Sequence, residues 1–400
     1  MLRNLNRCDL TPKEEIDRRI TELRKRMAEN NVDFAVILQN VDLFYFTGTA
    51  QKGYLFVPVD GDPLLFVERT VERALYETPL PVIPVRKDKD VRDALFAKGL
   101  PKGKGALELD VLPVTLHERW KGLLGFDGFA DVSSMVKEVR LIKSPFEIEQ
   151  IKKSGEIVSR VFSKAKEVIK EGLTEVEIGA RLETEGRLSG HQGFLRMRGL
   201  NQEMMNMYIT HGVSGFIQSA GDVPISGVGV TPAIAQGPSI NKVVKGVPIL
   251  IDYGGGYNGY ITDETRPYAV GHLREIFVKA YRAAREIVED ALSFVKEGVN
   301  AVELFERSHE RAKKAGLEEY FMGFGDTKVS FIGHGLGLEI NELPVITPRH
   351  SMVLKEGMVF AFEPKFVIPG EGAMGIEVDL IVRKDGAERV TDSAIDIVYL

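Results

Sequence analysis

The sequence predicts an α/β (α+β) protein in two parts, an N-terminal α/β domain and a larger C-terminal domain built from two similar halves. Three observations support this. The chain has 400 residues, more than one hydrophobic core usually serves. Helical and strand-like patterns alternate from the start to about residue 135. Beyond that point the chain repeats itself.

Residues 14–30 carry Ile16, Ile20, Leu23 and Met27 on one helical face, which predicts an amphipathic helix. VDFAVIL then predicts a buried strand and LFYFTG a second one. GYLFVPVDGDPLLFVE predicts a hairpin turning at Asp60-Gly61. No glycine-rich phosphate loop follows a strand in this part, and His117 stands alone in TLHERW, a surface or packing histidine. A boundary falls near Ser144. There SPFE combines a Ser N-cap, Pro at the first helical position and Glu at the third, so a long helix should run from Pro145 to Lys170.

The repeat is legible as VIKEGLTEVEI from residue 168 and FVKEGVNAVEL from residue 294. Each copy ends a helix at a glycine (Gly172, Gly298). Each then starts another with a capping box, Thr174 with Glu177 and Asn300 with Glu303. A second echo joins KGVPILID to KEGMVFAFE. In both, a glycine precedes a short apolar strand that ends in a carboxylate, Asp252 or Glu363, at the same spacing. Two symmetric halves that each deliver an acid place a site at their junction.

Composition narrows the classes. With 44% hydrophobic and 28% charged residues the chain suits an ordinary globular protein. Its net charge of −6 and the lack of a basic, aromatic-laced patch argue against nucleic-acid partners. No stretch approaches the roughly 20 apolar residues that cross a bilayer, so no membrane partner is expected. Cys8 is the only cysteine and can form neither an internal disulfide nor a thiolate zinc site. The opening MLRNLNRCDLTPKEE has no signal-peptide core, and the expected compartment is the cytoplasm.

The chemistry gathers in the C-terminal part. Asp252 ends the apolar ILID, where an ionised carboxylate needs a partner or a metal. YGGGYNGYITDET reads as a hairpin whose return strand carries Asp263, and two close carboxylates repel unless a proton or cation lies between them. His334 is flanked by glycines, which leaves its ring accessible. Glu363 ends VFAFE, and Glu377 lies on an alternating strand, with Asp379 on the same face. Four carboxylates and one imidazole without thiolates suit Mn, Co, Fe or Zn. Two such ions about 4 Å apart can hold a hydroxide and polarise a carbonyl.

DYGGGYNGYITDETRPYAVG, GHGLGLEINELP, GMVFAFEPKF and GIEVD occur in the order and spacing of the M24 metallopeptidases, which the chain resembles over nearly its whole length. That group includes Xaa-Pro dipeptidases, Xaa-Pro and methionine aminopeptidases and creatinase-type amidinohydrolases. The resemblance implies a creatinase/prolidase-like N-terminal domain over residues 1–138. Residues 139–400 would form a pseudo-twofold pita-bread catalytic domain, entered through VRLIKSPFEIEQIKKSGEI. It implies two divalent ions, with manganese or cobalt favoured, and a homodimer. By resemblance Asp252 chelates one ion with both oxygens, Asp263 and Glu377 bridge the pair, and His334 and Glu363 bind the other. Glu363 would also shuttle the proton.

Three positions depart from the family pattern. Asn341 stands where a histidine usually follows the ligand histidine, and Asn can donate to a carbonyl but cannot carry a proton. The loop AQGPSINKVVKGVP lacks the histidine of the peptidases, and Gly375 replaces an arginine common in proline-specific members. Candidate replacements lie in LRMRGLNQEMMNMYITHGVSG: Arg198 or Arg196 for a substrate carboxylate, with surface or dimer salt bridges as the alternative, and His211 as a substrate ligand or a packing residue. Met204, Met205 and Met207 read as packing. The leading expectation is a metallopeptidase-like hydrolase of a C–N bond in a small peptide, of Xaa-Pro dipeptidase or aminopeptidase type. The alternatives are an amidase or amidinohydrolase of a small nitrogenous metabolite, and a non-catalytic ligand-binding relative.

Overall fold

The computed structural model describes residues 9–219 and 221–400, so Cys8 and most of the opening segment lie outside the described residues. The chain forms two compact units. One runs to Arg140 and takes in Arg198–Asn201; the other comprises Leu141–Met197 and Gln202–Leu400. Among the described residues no helix is long and apolar enough to cross a membrane.

The first unit holds β1 (Phe34–Ile37), β2 (Gly53–Pro58), β3 (Leu64–Val67), β4 (Val82–Pro84), β5 (Gly105–Leu107) and β6 (Ala130–Asp131), in the sheet order β4-β3-β2-β1-β5-β6. The helix Lys13–Glu29 buries Ile16, Ile20, Leu23 and Met27, the face its periodicity predicts. β2 and β3 form the expected hairpin, with Leu55 opposite Leu65 and Gly61 at φ +103° in the turn. LFYFTG is not a strand. It belongs to the helix Asn40–Thr47, because Gln39 Oε1 caps the amides of Val41 at 2.6 Å and Asp42 at 2.8 Å. Gly48 at φ +76° then ends the helix. An aromatic run matches a strand in composition, and the caps on either side decide otherwise.

In the second unit the helix Pro145–Val168 starts at the Ser144 capping box, with Glu147 N–H donating to Ser144 Oγ at 3.2 Å and Ser144 N–H to Glu147 Oε2 at 3.0 Å. The helix Glu175–Leu188 follows. Then come β7 (Met207–His211), β8 (Pro248–Tyr257) and β9 (Tyr260–Ala269). The second half has the helices Glu275–Phe294 and Ala301–Lys314. After them come β10 (Gly333–Gly335), β11 (Glu342–Ile346), β12 (Val359–Phe362), β13 (Lys365–Ile368), β14 (Gly372–Gly375), β15 (Val378–Val382), β16 (Ala387–Arg389) and β17 (Val398–Tyr399). The sheets run β17-β9-β8-β7 and β11-β10-β12-β15-β16, with β13-β14 as a separate hairpin.

The repeat in the sequence is a repeat in backbone contacts. Gly172 N–H donates to Val243 O at 2.9 Å and Val243 N–H to Leu173 O at 2.8 Å; Gly298 N–H donates to Leu354 O at 2.9 Å and Leu354 N–H to Val299 O at 2.8 Å. Gly172, Gly298, Gly246 and Gly357 all have φ between 81° and 92°, a region other residues avoid. The caps differ in detail. Thr174 and Glu177 form the full box, whereas Asn300 accepts from Val302 N–H at 3.0 Å. Each half then buries an apolar helix face, such as Phe277, Ala280, Ala284, Ile287 and Ala291 of Glu275–Phe294. Burying a large side chain of this kind contributes about 1.5–3 kcal/mol, which holds the strands that carry the acids.

Candidate metal centre

Asp252 does not end its strand. β8 continues through Gly254, Gly255 and Gly256 to Tyr257, and a two-residue turn at Asn258 (φ +49°) and Gly259 (φ +86°) reverses the chain into β9. The glycines leave room for close neighbours: a Cβ on Gly255 would stand 2.3 Å from Thr262 Oγ1, and one on Gly254 2.3 Å from Leu195 Cδ1. In this register Asp252 faces Thr265 and Asp263 faces Gly254, so the two acids sit diagonally on one face of the hairpin.

His334 lies on β10 between β11 and β12. Its flanking glycines are needed for that pairing. A Cβ on Gly333 would stand 2.4 Å from Ala361 O, and one on Gly335 2.0 Å from Leu343 O. Glu363 immediately follows β12, and Glu377 precedes β15 with its amide donating to Thr265 O at 3.2 Å. The structure thus brings all five residues into one cluster. Asp263, Glu363 and Glu377 are buried, while His334 keeps a partly open ring.

Two sides of the cluster can be told apart. On one side His334 Nε2 stands 3.9 Å from Asp263 Oδ2, 3.9 Å from Glu363 Oε1 and 4.0 Å from Glu377 Oε1. These spacings are too long for hydrogen bonds, and ligand atoms of Asp263, His334 and Glu377 all lie within 4.8 Å of one another, a grouping that could hold a shared ion. Asp263 Oδ1, Glu377 Oε1 and Asp252 Oδ1 are buried without a hydrogen-bond partner. Burial, with the negative charges of Glu377 and Asp252 added, pushes the Asp263 carboxyl well above the usual range. Burial also pushes the Glu377 carboxyl up to about 8, against the opposing pull of Lys365. Carboxylates left with this much unrelieved charge fit a divalent cation beside His334.

On the other side stands Lys365, which the sequence reading missed. Its Nζ donates to Asp252 Oδ2 at 2.9 Å, Glu363 Oε2 at 2.8 Å and Glu377 Oε2 at 2.8 Å. The residue is 2% exposed. Asp252, read from the sequence as a metal chelator, therefore gives one oxygen to an ammonium. A signal was present: a lysine directly after Glu363-Pro364, opening an otherwise apolar strand, has to find buried anions. Thr265 Oγ1 adds a bond to Glu377 Oε2 at 2.7 Å. Asp379, on the face expected of it, accepts from Asp263 N–H at 2.9 Å.

The proposed substrate residues fare differently. His211 is buried on β7 with both ring nitrogens engaged. Nδ1–H donates to Pro248 O at 3.1 Å and Nε2 accepts from Val244 N–H at 3.0 Å. That is a structural histidine, and the expectation that it binds substrate is corrected. Arg198 is also taken. It packs in the first unit, with Nη1 on Asp42 Oδ2 at 2.6 Å and a two-toothed contact to Asp110 at 2.7 and 2.8 Å. Its fork holds aspartates of the protein and not, as the sequence suggests, a substrate carboxylate. Asn341 stands on an exposed turn before β11. Met207 is core, and Met204 packs near Leu195, Ile261 and Ile340.

Comparison with known proteins agrees with this geometry. The sequence model of metallopeptidase family M24 matches residues 149–384, and that of the creatinase/prolidase N-terminal domain matches residues 19–142. A Xaa-Pro dipeptidase of Pyrococcus furiosus is 30% identical over 93% of this chain and 97% of its own. The prolidase structure from Pyrococcus horikoshii superposes with a TM-score of 0.80 at 26% identity, covering 95% of this chain and 99% of that one. The X-Pro aminopeptidase structure from Thermotoga maritima gives 0.78 at 25% identity, with 95% and 99% covered. A two-part chain whose second part gathers four carboxylates and a histidine at such a centre belongs to metallopeptidase family M24.

Proposed function

We propose that this protein hydrolyses the C–N bond of small Xaa-Pro-type peptides, as a dipeptidase-like or aminopeptidase-like enzyme. One observation carries the reading: Asp263, Glu363 and Glu377 each aim an oxygen at His334 Nε2 from 3.9–4.0 Å, with no hydrogen bond to account for it. These four residues would hold a divalent ion, which when bound supplies Lewis acidity and an acidified water. Glu363 is the residue proposed to take the proton of the attacking water and return it to the leaving amine. Asn341 is proposed to donate to a substrate carbonyl.

The donor set of oxygens and one imidazole suits Mn, Co, Fe or Zn, and manganese or cobalt is proposed from the resemblance. Cytoplasmic location is proposed from the single cysteine, and a homodimer from the resemblance. Elemental analysis, gel filtration with light scattering and an assay of Xaa-Pro dipeptides with Mn or Co added test the metal, the dimer and the activity together. Metal with dipeptide turnover is the expected result; a chain that binds no metal would overturn the reading.

A second reading, an amidase of a small nitrogenous metabolite, is favoured by one feature. His211, offered in place of the family's substrate histidines, has no ring nitrogen left for substrate. Turnover of small amides but not of dipeptides would establish it.

A further inference from the structure

The cluster already holds one cation that the chain supplies itself, the Lys365 ammonium. Glu363 and Glu377 each divide their oxygens between it and His334. Oε2 of each meets Lys365 Nζ at 2.8 Å, and Oε1 of each faces His334 Nε2 at 3.9 and 4.0 Å. We propose that the Lys365 ammonium replaces one of the two divalent ions of the family centre, so that the chain binds a single ion, beside His334. This inference rests on the metal-dependent reading above.

Three features support it. The first is steric. An ion shared by Asp252 and Glu377 would have to lie within about 2.0–2.2 Å of their oxygens, and Nζ already contacts one oxygen of each at 2.9 and 2.8 Å. The two cannot share that volume. The second is valence. An ammonium has three N–H bonds, and three different carboxylates accept them, so Lys365 is fully satisfied where it stands.

The third is accommodation. Lys365 faces Gly375 across the β13–β14 hairpin, and a Cβ at 375 would stand 2.6 Å from Lys365 Cγ. Gly375 is one of the departures from the family pattern seen in the sequence. It is the residue that lets the lysine stem pass. Glycine at 375 and lysine at 365 thus fit one another across the hairpin. Four carboxylates facing one divalent ion and one ammonium carry less positive compensation than a two-ion centre would.

The test is metal stoichiometry on the full chain, loaded with manganese and freed of excess. Elemental analysis should give one Mn per wild-type chain, with the electron paramagnetic resonance spectrum of an isolated Mn(II). Lys365→Gly should bind two and show the spectrum of an exchange-coupled pair; Lys365→Met, which keeps the stem and loses the charge, serves if the glycine variant fails to fold. Two ions in the wild type would overturn the inference and leave the metal-dependent reading standing. One ion in both variants would also overturn it, since the ammonium would then not be what excludes the second. No ion in the wild type would overturn both.

Discussion

Lys365 and Gly375 are partners across a hairpin, and the absence of a side chain at 375 is what gives the lysine its route to Asp252, Glu363 and Glu377. A Cβ at 375 would also stand 2.8 Å from Lys365 Cα and 2.9 Å from Pro364 O, backbone atoms that cannot rotate away. Gly375→Ala should therefore destabilise the protein by about 1–3 kcal/mol, the usual range for overpacking. Urea unfolding measures this. Combined with Lys365→Ala, the loss should fall short of the sum of the single losses, because the Cγ collision is shared. Strict additivity would show that the two positions are independent.

Glu363→Gln keeps an oxygen for Lys365 but cannot accept a proton. It should lower kcat on the best dipeptide by about 10²–10⁴-fold, the range of general acid–base contributions. The far-ultraviolet circular dichroism should not change. A variant retaining wild-type kcat would assign the proton transfer elsewhere.

Arg198 joins Asp42 and Asp110 in the first unit, and Arg140 adds a 2.7 Å bond to Asp42. Removing one partner of a buried ion network costs about 3–5 kcal/mol, so Arg198→Met should lower stability by that order while leaving kcat/KM unchanged. A large rise in KM at normal stability would restore the substrate role. Burial opposes ionisation of Asp42, yet Arg140 and Arg198 hold it below its ordinary 3.8. Its stabilising contribution is present above that value and is lost as the pH falls below it. Acid melting curves of the wild type should show this loss, and Arg198→Met should show less of it.

His211 and His191 are built alike. His191 Nε2–H donates to Gly254 O at 3.0 Å and Nδ1 accepts from Gly193 N–H at 2.9 Å. A ring nitrogen that accepts from an amide cannot carry a proton, and burial holds both histidines below the ordinary 6.5. The unfolded chain is then the first to protonate. Stability should be full above 6.5 and fall as the pH drops from there, a slope seen in melting temperature between about pH 7 and pH 5. His211→Gln should flatten that slope; an unaltered slope would show that His211 is protonated in the fold.

Much of the site was legible because its signals are local. A glycine, an apolar run and an acid in a row place a carboxylate at a strand, and the repeat of that pattern at Gly246 and Gly357 marks two halves. Aromatic composition points to a strand at Asn40–Thr47 because it does not reveal which side chain will cap an amide, and Gln39 does. His211 and Arg198 looked functional as isolated polar residues. What sets their roles is the company they keep: Val244, Pro248, Asp42 and Asp110 lie far from them in the chain.

The sequence by itself determined the two-part α/β plan and the internal repeat, and it singled out Asp252, Asp263, His334, Glu363 and Glu377, which the structure gathers in one cluster. Periodicity, caps and the cost of burying an acid act over a few residues and can be read along the chain. Only the tertiary structure decided where the positive charges go. Lys365 reaches Asp252, and Arg198 reaches Asp42, across more than a hundred residues. A long flexible cation is placed by whichever buried anions the packed elements present to it, and that depends on the whole fold.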